Sequence, residues 1–404
     1  MNLKIRSQLS FMMFVEYFVW GSWYVTMGTY LTQTLKFDGL QVGSAYGALS
    51  ISAIISPFFV GMVADRFFAA ERVLGVLHII GGILMYLIST VSSFESFYPL
   101  IFAYTLCYMP TLALTNAVCF HQMKDPSQEF PNVRVFGTVG WIVAGLVLGF
   151  LKVEASVTQM LITSGMSFFM GIYAFTLPHT PPKKKGEKVT VSDVLGLEAL
   201  ALMKQTSFAV VVIASILICI PLSFYYNFTN LFLNEVGMEN AAGKMTMGQA
   251  SEFFFMLVMP FFFIRLGVKK MIMFGMAAWT LRYLLFAFGN IDTGIWMFYL
   301  GIILHGICYD FFFVTGQIYV DNKAPAHLKS AAQGMITLAT YGIGMLIGSY
   351  VSGEIVKQNT VADAAIPHLW QQIWIVPAIL ALGVLILFTF VFREEKSEVT
   401  TSAS

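Results

Sequence analysis

Charge is the scarce ingredient of this 404-residue chain: Asp, Glu, Lys and Arg make up 11% of it, against about 25% in an average soluble domain. Hydrophobic residues make up 57%, and the mean hydropathy is +0.75. A soluble chain of this length cannot hide so much apolar surface, whereas a bilayer solvates it directly, so an ordinary soluble enzyme is excluded. What charge there is nearly cancels, at +1 net with a pI near 7.7, which leaves no basic face for nucleic acid. The four cysteines, Cys107, Cys119, Cys219 and Cys308, are scattered through apolar runs. They have neither CxxC spacing nor a disulfide framework and read as small packing residues. Also missing are HExxH, GxxxxGK[ST], a GxSxG elbow and any His/Cys/Asp group with metal spacing, which disfavours an ATP-driven pump or a membrane hydrolase. No enzymatic activity, cofactor or metal is expected. The first apolar run starts within about ten residues of Met1, carries Glu16 and has no small-residue cleavage site, so it reads as a retained span rather than a signal peptide.

What the chain does have is about twelve apolar runs, each near the ~20 residues that a membrane helix needs. Their limits are 9–33, 41–64, 73–93, 97–119, 132–151, 157–177, 207–233, 246–265, 270–289, 294–319, 330–354 and 369–392. The abundant Phe (38) and Gly (33) suit close-packed spanning helices. The longest polar interruption, Pro178 to Lys204 with the run Lys183-Lys184-Lys185, falls between the sixth and seventh runs. The expected architecture is therefore all-α and integral to the membrane, with twelve transmembrane helices in two six-helix bundles. The expected units are a first bundle 1–178, a linker 179–205, a second bundle 206–393 and a tail 394–404. With the N-terminus in the cytoplasm, only Lys36, Lys152, Lys244 and Lys357 of the 23 Lys and Arg fall on the opposite side, while Arg134 and Arg282 fall in or near helices. The positive-inside rule then makes both termini and the linker cytoplasmic. The turn Gly61-Met62-Val63-Ala64-Asp65-Arg66 after the second run has a counterpart in Arg265-Leu266-Gly267-Val268-Lys269-Lys270 after the eighth. A basic turn repeated after the second helix of each half is the mark of a duplicated six-helix unit.

Of the acidic residues, Glu16, Glu252 and Asp310 sit well inside runs. Each costs at least about 2.5–3.5 kcal/mol at mid-bilayer, so each faces a cavity or a partner. A fixed ion pair between helices is one reading. A transport role is favoured at Asp310 and Glu252, because a buried carboxylate can load a proton on one side and release it on the other. Arg134, Thr138 and Trp141 stand at i, i+4 and i+7, a stripe able to hydrogen-bond and stack on a polar ring system; the alternative is an Arg134 that snorkels to the headgroups and a Trp141 in the core. Gln249 and Glu252 share a helix face, with one amide offering both donor and acceptor. His305 and Tyr309 are also one turn apart, whereas Asp310 is turned by about 140° from His305. Glu16 with Trp20 and Trp23 repeats the i, i+4, i+7 stripe in the first run and is balanced between site member and structural partner. Pro110 beside Tyr108 marks an expected kink in the fourth run. His305 is either a pH-sensitive group or hydrogen-bonded packing, and Arg282 has no partner that the sequence names.

The segment Gly61-x-x-Ala64-Asp65-Arg66 resembles the loop motif of the major facilitator superfamily, and more specific strings resemble its bacterial nucleoside:proton symporter family. These are Trp20-Gly21-Ser22-Trp23, Tyr108-Met109-Pro110-Thr111-Leu112, Phe130-Pro131 with Arg134-x-x-Gly137-Thr138-x-Gly140, Leu177-Pro178-His179, Pro260-Phe261-Phe262, Asp310-Phe311-Phe312 and Ala332-Gln333-Gly334-Met335. They run in order through both halves. The resemblance implies a pseudo-symmetric facilitator that takes up nucleosides with protons by alternating access across a bacterial inner membrane. Gly61, Asp65 and Arg66 would form its conformational loop. It maps the substrate-lining positions onto Arg134, Thr138, Trp141, Gln249, Glu252, His305, Tyr309 and Asp310. Stacking falls to Trp141, Tyr309 and Tyr226, polar contacts to Arg134, Gln249, Thr138 and Glu252, and proton coupling to Asp310 or, second, Glu252. Enterobacterial members carry Phe, Tyr and Phe where this chain has Trp141, His305 and Tyr309, and Gln and Asn where it has Ser223 and Tyr226. The last pair removes two amides and alters the hydrogen-bond pattern offered to the base. The expected partners are a nucleoside, protons and the lipid bilayer; a facilitator of this size needs no second copy to form its cavity, so a monomer is expected. The nearest alternative is a facilitator of another small solute, such as a sugar or a drug-like compound. A sensor or scaffold would need a long soluble domain, which is absent.

Overall fold

A computed structural model describes residues 1–59, 67–182, 197–361 and 364–393, and every regular element among them is helical. The turn containing Gly61, Asp65 and Arg66, the Lys183–Lys185 run and the tail beyond residue 393 lie outside the described residues. The principal helices are α1 (Leu3–Gly21), α2 (Gly39–Phe59), α3 (Ala70–Ile88), α4 (Phe94–Gln122), α5 (Pro131–Leu151), α6 (Thr158–Ala174), α7 (Thr206–Glu235), α8 (Ala241–Phe288), α9 (Ile295–Lys323), α10 (Ala331–Gln358) and α11 (Trp370–Val391). Eight of them, α3 to α5 and α7 to α11, are long and apolar enough to cross a membrane.

Several of the expected runs are not simple helices: besides the π-helical segments Asp310–Val314 in α9 and Leu338–Gly344 in α10, the first run is broken and a kink joins the eighth and ninth. The run 9–33 is broken: α1 stops at Gly21, helix resumes at Met27–Thr29 and continues as a π-helix over Tyr30–Thr34. The backbone groups freed by the break are satisfied by Tyr46 of α2, whose hydroxyl donates to the Tyr24 carbonyl (2.7 Å) and accepts from the Gly28 amide (3.0 Å). The runs 246–265 and 270–289 are two helical arms of α8 that meet in a kink at Gly267, where φ is 68° and only glycine is unstrained. Beside that turn, the Lys269 ammonium donates to the carbonyls of Thr389 (3.0 Å) and Phe392 (2.8 Å) and so caps the end of α11. In the fourth run, α4 stays helical across Pro99 and Pro110.

Polarity is distributed in the reverse of a soluble protein. Phe150, Ile264 and Phe390 are 83%, 84% and 78% exposed, while Glu16, His78, Glu154, Arg282, His305 and Asp310 are buried. Apolar side chains facing outward around polar ones facing inward fit a hydrocarbon solvent. Close packing relies on small residues: a side chain on Gly140 of α5 would strike the backbone of Phe14 of α1, and one on Gly75 of α3 would meet Gly171 of α6. Likewise α3 meets α4 at Gly81 and Tyr104, and α2 meets α4 through Ser52 and Thr105 (2.8 Å). Further along the chain, α7 meets α10 at Ser223 and Gly348. The arm of α8 after Gly267 stacks Tyr283 on Trp374 of α11 (5.7 Å) and sends the Trp279 indole N–H to the Cys308 carbonyl of α9 (3.2 Å). The arm before Gly267 donates from Ser251 to the Ile303 carbonyl of α9.

Candidate substrate cavity

A cavity lies where α1, α5, α7 and α8 converge, lined among others by Gly21, Trp141, Tyr226, Thr246 and Gln249. Glycines make the convergence possible: Gly21 lets α1 touch the backbone of α5, and Gly145 accommodates Thr246 of α8. The Trp141 indole is held edge-on by Trp20 (5.3 Å) and Tyr24 (6.0 Å), and Tyr24 also packs on Tyr226 (5.5 Å). Aromatic faces with one primary amide, Gln249, form a surface suited to a planar heteroaromatic ring.

Glu252 lies one turn from Gln249, and its Oε2 is 3.8 Å from His305 Nε2. The His305 ring is stacked on Tyr225 (5.0 Å) and meets Tyr226 edge-on (6.1 Å). Behind it, Arg282 places Nη1 3.1 Å from His305 Nδ1 and its guanidinium 3.4 Å over the Tyr225 ring. Tyr309 faces a second cavity between α7, α9 and α10, where its hydroxyl is 2.7 Å from that of Tyr341. Asp310 lines neither cavity: it is fully buried at the start of the π-helical segment Asp310–Val314, and neither carboxylate oxygen has a hydrogen-bond partner among the described residues. Asp310 is turned by about 100° from Tyr309 and by about 140° from His305 at helical pitch, which accounts for its separation from both.

The other expected site residues are placed by α1. Arg134 sets its guanidinium over the Tyr17 ring at 4.0 Å. Thr138 lies between it and Trp141 on the same helix. Glu16 is enclosed by its neighbours: its carboxylate meets His78 Nε2 at 2.8 Å and accepts from Thr111 at 2.6 Å, and the Tyr108 hydroxyl donates to its carbonyl. Ser223 turns its hydroxyl to the Cys219 carbonyl of its own helix (2.9 Å).

Sequence reasoning missed several polar groups. His78, a histidine within the third run, is an ionisable residue in a span and carried the signal that would have paired it with Glu16. Tyr225 and Tyr341 have no such mark. Glu154, between α5 and α6, is buried and receives hydrogen bonds from Asn230 (2.7 Å) and Asn234 (2.9 Å) of α7 and from the Ala242 amide of α8 (3.1 Å). A carboxylate next to a predicted loop gave no hint of burial.

Comparison with known proteins accounts for this arrangement as a whole. The family model described as nucleoside H+ symporter matches residues 1–397. YegT of Escherichia coli (strain K12) is 43% identical over 98% of this chain and 96% of its own length. The xanthosine permease of the same organism is 34% identical, covering 97% of this chain and 96% of its own. A crystal structure of an aspartate-to-alanine mutant of the nucleoside transporter NupG superposes with a TM-score of 0.91 at 32% identity, over 96% of this chain and 100% of that one. These matches extend through both halves and are all to transporters rather than enzymes, and the chain belongs to the nucleoside H+ symporter family.

Proposed function

We propose that this membrane protein carries nucleosides inward together with protons by alternating access, with the base held in the cavity between α1, α5, α7 and α8. The observation that carries the reading is that cavity: Trp141, Tyr226 and the Gln249 amide meet where the first and second halves of the chain touch, in a member of a nucleoside H+ symporter family. Trp141 and Tyr226 stack on the ring system, Gln249 and Glu252 bind polar edges, and Arg134 and Thr138 extend the same stripe toward the cytoplasm. Tyr309 closes the neighbouring wall.

The twelve-span architecture, with bundles 1–178 and 206–393 joined by the linker 179–205 and followed by the tail 394–404, is part of this reading. The helix contacts support it, because they repeat. In the first half α1 pairs with α5, α3 with α6 and α4, and α2 with α4. In the second, α7 pairs with α10, the later arm of α8 with α11 and α9, and its earlier arm with α9. Counting the two arms of α8 as two spans gives the same pairing order twice. The distribution of Lys and Arg supports a cytoplasmic position for both termini. Glu154, with its partners on α7 and α8, then lies on the outer face, as does the ion pair of Asp38 and Lys357 (3.1 Å), and both hold that face shut.

Asp310 is the proton carrier in this scheme. A buried carboxylate with no partner is costly as an anion and far less so with its proton on. Protonation from outside lets the loaded carrier turn over, and proton release inside favours release of the substrate. Uptake of labelled uridine and adenosine by transport-deficient cells, with an imposed pH gradient and then an uncoupler, tests the reading. Accumulation that the uncoupler abolishes, and that nucleosides but not sugars compete, is the expected result. Asp310→Asn is expected to abolish accumulation while retaining exchange or binding; full pH-dependent accumulation by that variant would remove Asp310 from the role.

A further inference from the structure

We infer that Arg282 is a positioning residue that fixes the tautomer of His305, so that the imidazole presents an N–H donor beside the Glu252 carboxylate. The inference rests on the transport reading above and extends it to a residue that does not line the cavity. A guanidinium has hydrogen-bond donors only. Its contact of 3.1 Å with His305 Nδ1 is a hydrogen bond only when Nδ1 carries its lone pair. The neutral ring then has its proton on Nε2. A second proton on the imidazole would set two donors against each other beside a cation, in a place where both residues are fully buried. Among the described residues nothing else competes for Nδ1: Tyr225 lies flat against the ring, Tyr226 and Tyr309 meet it through their rings, and Glu252 is on the Nε2 side. Arg282 is itself held by the Tyr225 face, with the Trp279 ring 5.3 Å from its guanidinium.

The consequence is an open pair. His305 Nε2 is buried without a hydrogen-bond partner among the described residues, and Glu252 Oε2, at 3.8 Å, is too far to be one. The Glu252 side chain is 24% exposed, so the carboxylate is the end from which the pair is reached. An N–H and a carboxylate this close accept a group that receives one hydrogen bond and donates another. A hydroxyl oxygen at about 2.8 Å from each atom closes the gap. In a nucleoside the same chemistry is offered by a sugar hydroxyl or by an adjacent N–H and carbonyl of the base.

The tautomer is read directly by nitrogen NMR of the purified protein in nanodiscs, the His305 signals being identified by their loss in His305→Phe. The expected spectrum has an unprotonated Nδ1 and a protonated Nε2, unchanged between about pH 5 and pH 8. A cationic ring, or a proton on Nδ1, would overturn the inference even if no nucleoside is ever transported, which keeps its failure separate from that of the transport reading.

The functional arm is exchange of labelled uridine in proteoliposomes at equal pH on both faces. Arg282→Met is expected to raise KM by about tenfold, the loss of one hydrogen bond to a charged group. The ratio of its KM to that of the unmodified protein is expected to change with pH. In the His305→Phe background the same substitution is expected to have no effect on KM. A ratio independent of pH, or an equal effect in both backgrounds, means that Arg282 only supports the fold and refutes its action through His305. If Arg282→Met does not reach the membrane, the cycle is run with Arg282→Lys, whose effect must likewise vanish in the His305→Phe background, where the ring has no nitrogen to accept a hydrogen bond. Competition by 2'-deoxyuridine, 3'-deoxyuridine and 3-methyluridine distinguishes sugar from base: the analogue lacking the bridging group competes about tenfold more weakly, and Arg282→Met erases that preference. Equal competition by all three with the unmodified protein would show that the pair takes no substrate group.

Discussion

Replacing Glu154 by alanine is expected to open the outer face. Its carboxylate belongs to the first half of the chain, and the donors it receives among the described residues belong to the second: Asn230 Nδ2 at 2.7 Å, Asn234 Nδ2 at 2.9 Å and the Ala242 amide at 3.1 Å. The last sits in the first turn of α8, where the helix dipole adds to the attraction. Two more bonds tie the loop in place, from Gln159 to the Glu154 carbonyl (2.9 Å) and from Thr26 to Gln159 (2.8 Å). On the proposed topology these contacts cross between the halves at the outer face, so they are expected to break when that face opens. Alanine leaves the Ala242 amide without its acceptor and takes one acceptor each from Asn230 and Asn234, the latter still bonded to the Asn230 carbonyl (2.9 Å), at about 1–3 kcal/mol for each buried group left unpaired, and water entering the space left by the side chain recovers part of that. A net loss of about 3 kcal/mol shifts the ratio of closed to open states by roughly a hundredfold. The assay is labelling of a cysteine placed at Val25, which is buried and lines the cavity, by a membrane-impermeant maleimide added outside intact cells. Expected is slow labelling with Glu154 present and labelling faster by up to about two orders of magnitude with Glu154→Ala, together with impaired accumulation. Glu154→Gln, which keeps one acceptor oxygen, falls between. Equal labelling rates per folded molecule in the three proteins would refute the reasoning and leave Glu154 as a structural group.

Three further outcomes are expected. Glu16→Ala and His78→Ala each break a buried pair (2.8 Å) and each costs about 3–5 kcal/mol in thermal-unfolding experiments, but the double variant costs much less than their sum; additive losses would mean that the pair does not form. At Asp38, burial pushes the carboxyl up, but the Gln41 amide and the Lys357 ammonium outweigh it and hold the group below the usual carboxylate range. The stabilisation from a carboxyl held low is complete above the unfolded-state value near 4 and fades as pH falls through the folded one. Asp38→Asn is therefore expected to lower stability by less than about 1 kcal/mol at pH 7, since both partners are nearly half exposed, and by nothing at low pH. A difference in Tm that persists well below pH 3 would contradict this. Ser223→Ala is expected to change the KM for uridine by less than about threefold, because the hydroxyl is spent on the Cys219 carbonyl of its own helix; a tenfold effect would place it on the substrate.

The helices are legible because each obeys a one-dimensional rule. Apolar runs bounded by charge mark their positions, and basic residues sorted by loop mark the expected sidedness, with no knowledge of neighbours. What the rule misses are the places where a neighbour decides. The run 9–33 contains no residue that demands a break; Tyr46 of the next helix makes one tolerable by bonding both the Tyr24 carbonyl and the Gly28 amide. Helical periodicity likewise puts Arg134 and Trp141 on one stripe of α5, and that stripe does face one element. It runs along α1, with Arg134 over Tyr17 and Trp141 against Trp20 and Tyr24, which stand on a matching stripe three, four and seven residues apart.

Pairing is harder to read because it joins two stripes, each visible alone, at a register that only packing sets. Glu16 is recognisable as costly in a span, and its partner His78 lies two helices away; Arg282 is recognisable as unaccompanied, and its contact His305 lies on the next helix. Every buried polar group in lipid must find a partner or carry a function, so the pairs once seen act as a sieve. Glu16 is matched by His78 and Thr111, Glu154 by two asparagines and a helix amide, and Arg282 by His305 and a tyrosine face. Two carboxylates pass through it. Glu252 stops short of His305 at 3.8 Å, and Asp310 has no partner at all among the described residues. In the proposed mechanism these two open carboxylates, set among interior carboxylates that are otherwise satisfied, are the ones that a substrate group and a proton complete in turn.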